Sequence, residues 1–196
     1  MREGQPFGAG MKQRTAATAA AVFVGLVAIG LMAIASRRSL PVGNSAVPQP
    51  GKPVKLSQYL GLWYEIGRYD NDFERGLEGV TAEYRVRADG LIRILNTGRQ
   101  GSPTGRARVT QGWGKVVGGS DSTKLRVSFF GPLFSGDYWI LDHADDYAWA
   151  IVGEPSGRYL WLLSRRPYLA PEARSAIFAR ARELGYDTDL IRPTVQ

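Results

Sequence analysis

Short runs of alternating apolar and polar residues fill the middle of this chain. In residues 80–86, Val80, Ala82, Tyr84 and Val86 fall on one face and Thr81, Glu83 and Arg85 on the other. That period of two is the signature of a half-buried strand. Asp89-Gly90 supplies a two-residue hairpin turn into a second run over 91–96. A third strand is predicted over 106–117, ending at Gly118-Gly119-Ser120. Residues 124–129 alternate again, with Leu125, Val127 and Phe129 together. Further strands are predicted over 137–141, 147–152 and 158–164, separated by an Asp-rich loop and by Glu154-Pro155-Ser156-Gly157. With the strand around Trp63 the pattern predicts eight short strands joined by hairpin-length links. No helical pattern interleaves them, which argues against a βαβ layout. Eight antiparallel strands lose their raw edges by closing into a barrel, although periodicity alone also permits a sandwich. Pro171 then opens a helix that Gly185 ends. Its apolar stripe is Ile177, Phe178, Ala181 and Leu184, while Arg174, Arg180 and Arg182 point elsewhere. Such a helix is expected to cover the sheet from outside.

The start of the chain reads differently. Residues 16–35 contain no charge, Lys12 and Arg14 stand before them, and Arg37 and Arg38 follow. About twenty residues at 1.5 Å rise span roughly 30 Å, the thickness of a bilayer core. The run ends in Ala33-Ile34-Ala35, a shape that signal peptidase accepts before Ser36. Residues 1–35 are therefore a signal peptide or an N-terminal membrane anchor, a hydrophobic helix in either case. Both carry the following domain across the membrane, given the basic residues ahead of the run. Residues 36–55 are rich in Pro, Gly and Ser and are expected to form a flexible linker, with the folded domain over 56–196.

Composition narrows the chemistry. Lys and Arg number 25 against 18 Asp and Glu, a net charge of +7, scattered rather than blocked. No nucleic-acid motif accompanies this charge, so a nucleic-acid partner is not expected. With no cysteine and one histidine, disulfides, thiolate chemistry and multi-histidine metal sites fall away. That histidine, His143, lies between Asp142 and Asp145 and is expected to be a solvated loop residue. Glu65 and Glu78 are the obvious carboxylates for an acid–base pair, but nothing in the sequence fixes their separation. The chain is read as a non-enzyme with no cofactor.

Two blocks carry a resemblance. Gly61-Leu62-Trp63-Tyr64-Glu65 lies near the start of the domain, and Tyr159-Leu160-Trp161-Leu162-Leu163-Ser164-Arg165-Arg166-Pro167 ends the last strand. With Phe73-Glu74-Arg75-Gly76-Leu77-Glu78 and Val127-Ser128-Phe129-Phe130-Gly131-Pro132 between them, residues 56–196 resemble the lipocalins. The likeness is to the bacterial, outer-membrane lipoprotein type, which is apolipoprotein D-like. The middle block of that family is matched only loosely, by Leu141-Asp142-His143 and the residues up to Tyr147. The resemblance implies an eight-stranded up-and-down barrel with the C-terminal helix packed outside. It also implies structural roles for Gly61, Trp63 and Arg165, the Trp plugging one end and the Arg packing across it.

What the family binds gives the expected function: storage or transport of fatty acids or lysophospholipids beside a membrane, on the periplasmic side of a bacterial envelope. A homodimer is compatible with the resemblance. Where bacterial relatives carry a lipidated cysteine after the leader, this chain has Ser36, so a covalent lipid anchor is excluded. Strand parity and the family pattern nominate Tyr84, Ile92, Ile94, Asn96, Val127 and Phe129 as cavity lining. Trp139, Trp149, Tyr159 and Trp161 join them as aromatics whose strand face the sequence leaves open. A rival is a barrel filled by its own aromatics, serving only structure; another is an enzyme acting on a lipophilic substrate.

Overall fold

A computed structural model describes residues 40–129, 131 and 135–196. The hydrophobic helix expected within residues 1–35 lies outside the described residues. Among the described residues no helix is long and apolar enough to cross a membrane.

Eight strands form a closed antiparallel barrel. They are β1 (Gly61–Tyr69), β2 (Leu77–Val86), β3 (Ile92–Gln100), β4 (Ala107–Val116), β5 (Lys124–Ser128), β6 (Ser135–His143), β7 (Trp149–Gly153) and β8 (Leu160–Ser164). From β2 to β8 each strand pairs with its sequence neighbour, and β1 closes the ring by pairing with both β2 and β8. A hairpin forms at Asp89-Gly90, but its loop has three residues, Ala88 to Gly90, rather than the two predicted: Arg87 N–H donates to the Leu91 carbonyl at 2.8 Å and Gly90 sits at φ +80°. Alternation then gives the barrel two faces. Inward, Trp63, Tyr84, Ile92, Ile94, Leu125, Val127, Ile140, Ala150, Val152 and Leu163 make one core. Outward, Ile66, Leu141, Ile151, Leu160 and Leu162 make a second core with Ile177 and Ala181 of helix α2 (Pro171–Glu183). A short helix, α1 (Leu56–Tyr59), precedes β1 at the end plugged by Trp63.

A short ninth strand, β9 (Ile191–Pro193), has no counterpart in the sequence reading. It pairs with the second half of β1, Gly67 opposite Pro193 and Tyr69 opposite Ile191, where β1 has parted from β2. The tail stays in that gap. Gly79 donates to the Val195 carbonyl at 2.7 Å, and the Gln196 side chain donates to the carbonyls of Glu65 at 2.6 Å and Val80 at 2.9 Å. Residues 191–196 thus stitch the wall between β1 and β2.

Residues 40–55 depart from the flexible linker expected of them. They form no strand, yet the backbone N–H groups of Gly43 and Asn44 both donate to the Gly157 carbonyl, at 3.0 and 3.2 Å. Asn44 Nδ2 donates to the carbonyl of Leu184 at 3.0 Å, and Val54, part of the inner core, donates to that of Asp121 at 3.0 Å. Prolines and glycines remove regular structure, but they leave apolar side chains and free amides that the barrel surface can satisfy. Gly157 is needed for this clasp: it sits at φ +65°, and a Cβ there would fall 1.7 Å from the Asn44 carbonyl oxygen.

Candidate functional site: the barrel interior

The closed end is built around Trp63, 0% exposed, whose Nε1 donates to the Tyr59 carbonyl at 2.8 Å. The Arg165 guanidinium lies 3.7 Å from the centre of that indole ring. Its N–H groups donate to four carbonyls, those of Leu62 at 2.7 Å, Gln58 at 2.6 Å, Tyr59 at 3.0 Å and Leu60 at 2.9 Å. A planar guanidinium can stack on the indole and donate at its edge at the same time, which an ammonium cannot match. Gly61, at φ +97°, lets the chain turn from α1 into β1 with Arg165 Nη1 3.5 Å from where a Cβ would be. The sequence-predicted plug is therefore assembled as a unit.

Above this floor the interior is more polar than strand alternation suggests. The Tyr138 hydroxyl lies 2.6 Å from that of Tyr59 and 2.8 Å from that of Tyr84, and burial pushes all three phenols up, so they stay neutral. Next comes an ionic cluster. Glu65 stands opposite Leu163 and Arg68 opposite Trp161, so both face inward across a bulge in β1. Arg68 Nη1 donates to Glu65 at 2.6 Å and to Thr194 Oγ1 at 3.2 Å, while Nη2 donates to the carbonyls of Glu74 at 2.8 Å and Leu77 at 3.1 Å. Glu74 accepts from Asn71 Nδ2 at 2.7 Å and from Trp161 Nε1 at 2.9 Å. Burial, and then the charge of Glu74, push the Glu65 carboxyl up to about 7, against the pull of Arg68 and Thr194. Nothing in the period of the strand announces this cluster. Its only sequence signal is the run of acidic and basic residues from Glu65 to Glu74.

Toward the other end exposure rises. Phe73, 55% exposed, stacks on Tyr159 at 5.7 Å, and Tyr159 stacks on Trp161 at 5.7 Å. On the opposite wall the inner face of β3 and β4 passes from buried Ile92 and Ile94 to half-buried Asn96 and then exposed Thr110 and Arg108.

Of the nominated lining residues, Tyr84, Ile92, Ile94, Val127, Phe129 and Trp161 lie in or against the inner core. Asn96 shares the inner face through its register with Thr110. Tyr159 belongs to the aromatic stack. Trp139 and Trp149 are elsewhere: both pack against the outer core with α2, and Trp139 carries the Lys124 ammonium 4.3 Å from its ring centre. Residues Tyr138, Trp139, Ile140 and Leu141 alternate regularly between the inner and outer cores, but both faces of the strand are apolar, so the sequence could not show which face was inner. Inner residues missed by the sequence reading include Tyr59, Tyr138 and Ile140.

His143 is not the solvated loop residue expected. It ends β6, is 3% exposed, stacks on Tyr147 at 4.2 Å, and has ring nitrogens 2.8 Å from the Ala144 carbonyl and 3.2 Å from that of Pro53. The chain of residues 52–55 covers it. Glu65 and Glu78 do not work as a pair: Glu78 is bound instead by Arg192 and by the Val195 amide at 2.7 Å. Among the described residues no group of three or more His, Asp or Glu side chains is placed to hold a metal ion.

A meander of eight strands closed on itself, plugged at one end by an Arg-capped Trp and backed by one helix, defines a calyx of the lipocalin class. The chain belongs to the lipocalin-like domain family, whose pattern matches residues 54–196. It is 42% identical over 151 residues to the outer membrane lipoprotein Blc of Vibrio cholerae serotype O1, covering 75% of this chain and 87% of that protein. Rat apolipoprotein D is 32% identical over 151 residues, covering 73% of this chain and 77% of the relative. Among solved structures, insecticyanin from the tobacco hornworm Manduca sexta shares the fold with a TM-score of 0.60 at 18% identity, covering 80% of this chain and 88% of that one.

Proposed function

We propose that this protein is a non-enzymatic carrier of single-chain lipids, fatty acids or lysophospholipids, on the periplasmic side of a bacterial envelope, where it supports membrane maintenance. The observation that carries this reading is the inner wall itself. Val127, Phe129 and Trp161 turn apolar side chains to the inside of a barrel plugged at one end, above the fully buried Ile92 and Ile94. Each methylene buried there is worth about 0.8 kcal/mol, enough for a long acyl chain to bind tightly without any covalent step. Family membership supports the same reading, as does the printed name of the Vibrio relative, an outer membrane lipoprotein. The chain has no cysteine to carry a lipid anchor. The barrel is then held near its membrane either freely or by an uncleaved leader, and the N-terminal residue of the protein recovered from cells distinguishes the two.

The test is solvent extraction of the purified protein followed by mass spectrometry, with rebinding of palmitate to the delipidated barrel. Recovery of stoichiometric single-chain lipid is expected. A barrel that yields none and takes up none would refute the carrier. That outcome would favour a second reading, a self-filled structural barrel, for which the Tyr59–Tyr138–Tyr84 hydroxyl chain is the specific support. An enzyme is less well supported, because Glu65 is 2% exposed and already engaged by Arg68 and Thr194.

A further inference from the structure

We propose that the inner face of the β3–β4 hairpin reads the head group of the bound lipid, with Arg108 taking its anionic group and Asn96 accepting from a hydroxyl one step deeper. This rests on the carrier reading above and names the residues that give it selectivity. The register pairs Ile92 with Gly114, Ile94 with Gly112, Asn96 with Thr110 and Gly98 with Arg108, without a shift. Residues directly opposite in an antiparallel pair share a face, so Asn96, Thr110 and Arg108 continue the inner face that Ile92 and Ile94 begin. Successive inward positions on a strand are about 7 Å apart. The wall therefore offers apolar surface at its base, an amide and a hydroxyl above it, and a guanidinium at the rim. An amphiphile with its chain inward presents the same order.

Two observations single out these groups. Other arginines at the open end are committed: Arg75 to Asp72 at 2.5 Å, Arg99 to the Gly105 carbonyl at 3.2 Å, and Arg158 to the Leu40 carbonyl. The Arg108 side chain makes no hydrogen bond or ion pair with any described residue. Arg106 is also unpaired, but it lies in the loop before β4 rather than on the inner face of the strand. Independently, Asn96 Oδ1 is buried with no donor among the described residues. A buried acceptor without a partner is costly, and a lipid hydroxyl at this depth would supply the missing donor.

Binding is measured by displacement of a fluorescent fatty acid from the delipidated full chain, using four probes. Lysophosphatidic acid carries both charge and hydroxyl, palmitate only charge, monopalmitoylglycerol only hydroxyls, and glycerol 3-phosphate is a head group without a chain. Arg108→Ala should weaken lysophosphatidic acid and palmitate about tenfold, the worth of one charged hydrogen bond, and leave monopalmitoylglycerol unchanged. Asn96→Ala should weaken the two hydroxyl-bearing lipids and spare palmitate. Arg166→Ala, which removes the same charge at the closed end, should alter none. Equal losses for all three lipids, or no loss, would overturn the assignment. So would binding of glycerol 3-phosphate as tight as that of lysophosphatidic acid, which would make Arg108 a free-phosphate site. Failure of the unaltered protein to bind any of the three lipids would remove the carrier reading itself, whereas lost selectivity removes only the head-group assignment.

Discussion

Replacing Glu65 by Gln probes the charged layer in the barrel. In the folded protein this carboxyl is 2% exposed and titrates at about 7, because burial and then Glu74 disfavour its charge more than Arg68 and Thr194 support it. In the unfolded chain it titrates at its ordinary value of 4.5. Below 4.5 both states hold the proton and the contribution to stability is complete. Between 4.5 and 7 the folded state keeps a proton that the unfolded chain releases, so stability falls as pH rises, and above 7 the loss is full. The separation of the two values, at 1.36 kcal/mol for each pH unit, gives a fall of about 3 kcal/mol as an upper bound. Urea unfolding of the wild type and Glu65→Gln at pH 5, 6, 7 and 8 isolates this contribution together with its coupling to Glu74, since groups that do not sense Glu65 cancel in the difference. The wild type should lose up to about 3 kcal/mol more than the variant across this range. Parallel curves would refute the argument. A wild-type stability that gains on the variant as pH rises would show that Arg68 outweighs burial and Glu74.

Two further substitutions separate architecture from binding. Arg165→Lys keeps the charge but cannot reach four carbonyls while lying over Trp63, and should cost about 2–3 kcal/mol in denaturant unfolding. Lipid affinity should be retained by the fraction that stays folded; lost affinity at unchanged stability would place Arg165 in the binding site instead. Gly157→Ala forces a left-handed backbone on alanine and drives a Cβ into the Asn44 carbonyl. It should cost about 2–4 kcal/mol, seen as a fall of roughly 5–10 °C in the melting temperature. An unchanged melt would mean that the segment around Asn44 adds nothing to the fold.

What could be read in the sequence depended on how many faces of a strand are buried. Residues 80–86 and 124–129 have one face in the core and the other wet, so Tyr84 and Val127 were assigned correctly by parity. β6 and β7 are covered on both sides, by the inner core and by α2, so both of their faces are apolar. No alternation survives there to place Trp139 or Trp149. Trp63 and Arg165 were legible for a different reason: a block resemblance carries residue roles that periodicity does not. The ionic layer was hidden because Glu65 and Arg68 are brought to one face by a bulge in β1, and because most of their bonds come from Thr194, Glu74 and Leu77 on other segments. His143 was misjudged since its cover, residues 52–55, looks like a spacer in composition. Arg108 is an ordinary arginine in the sequence; only its register opposite Gly98 shows which way it faces.

The stitch between β1 and β2 bears on when the barrel can form. Thr194 meets Glu65 across 129 positions of sequence, and β1 also waits for β8 to close the other side. During synthesis, hairpins from β2 to β8 can assemble as they emerge, but β1 lacks its second-half partner until residues 191–193 are available. Contacts so distant in sequence are slow to form, because the loop must be closed before the pairing rewards it. Closure of the barrel therefore waits until nearly the whole chain has been made.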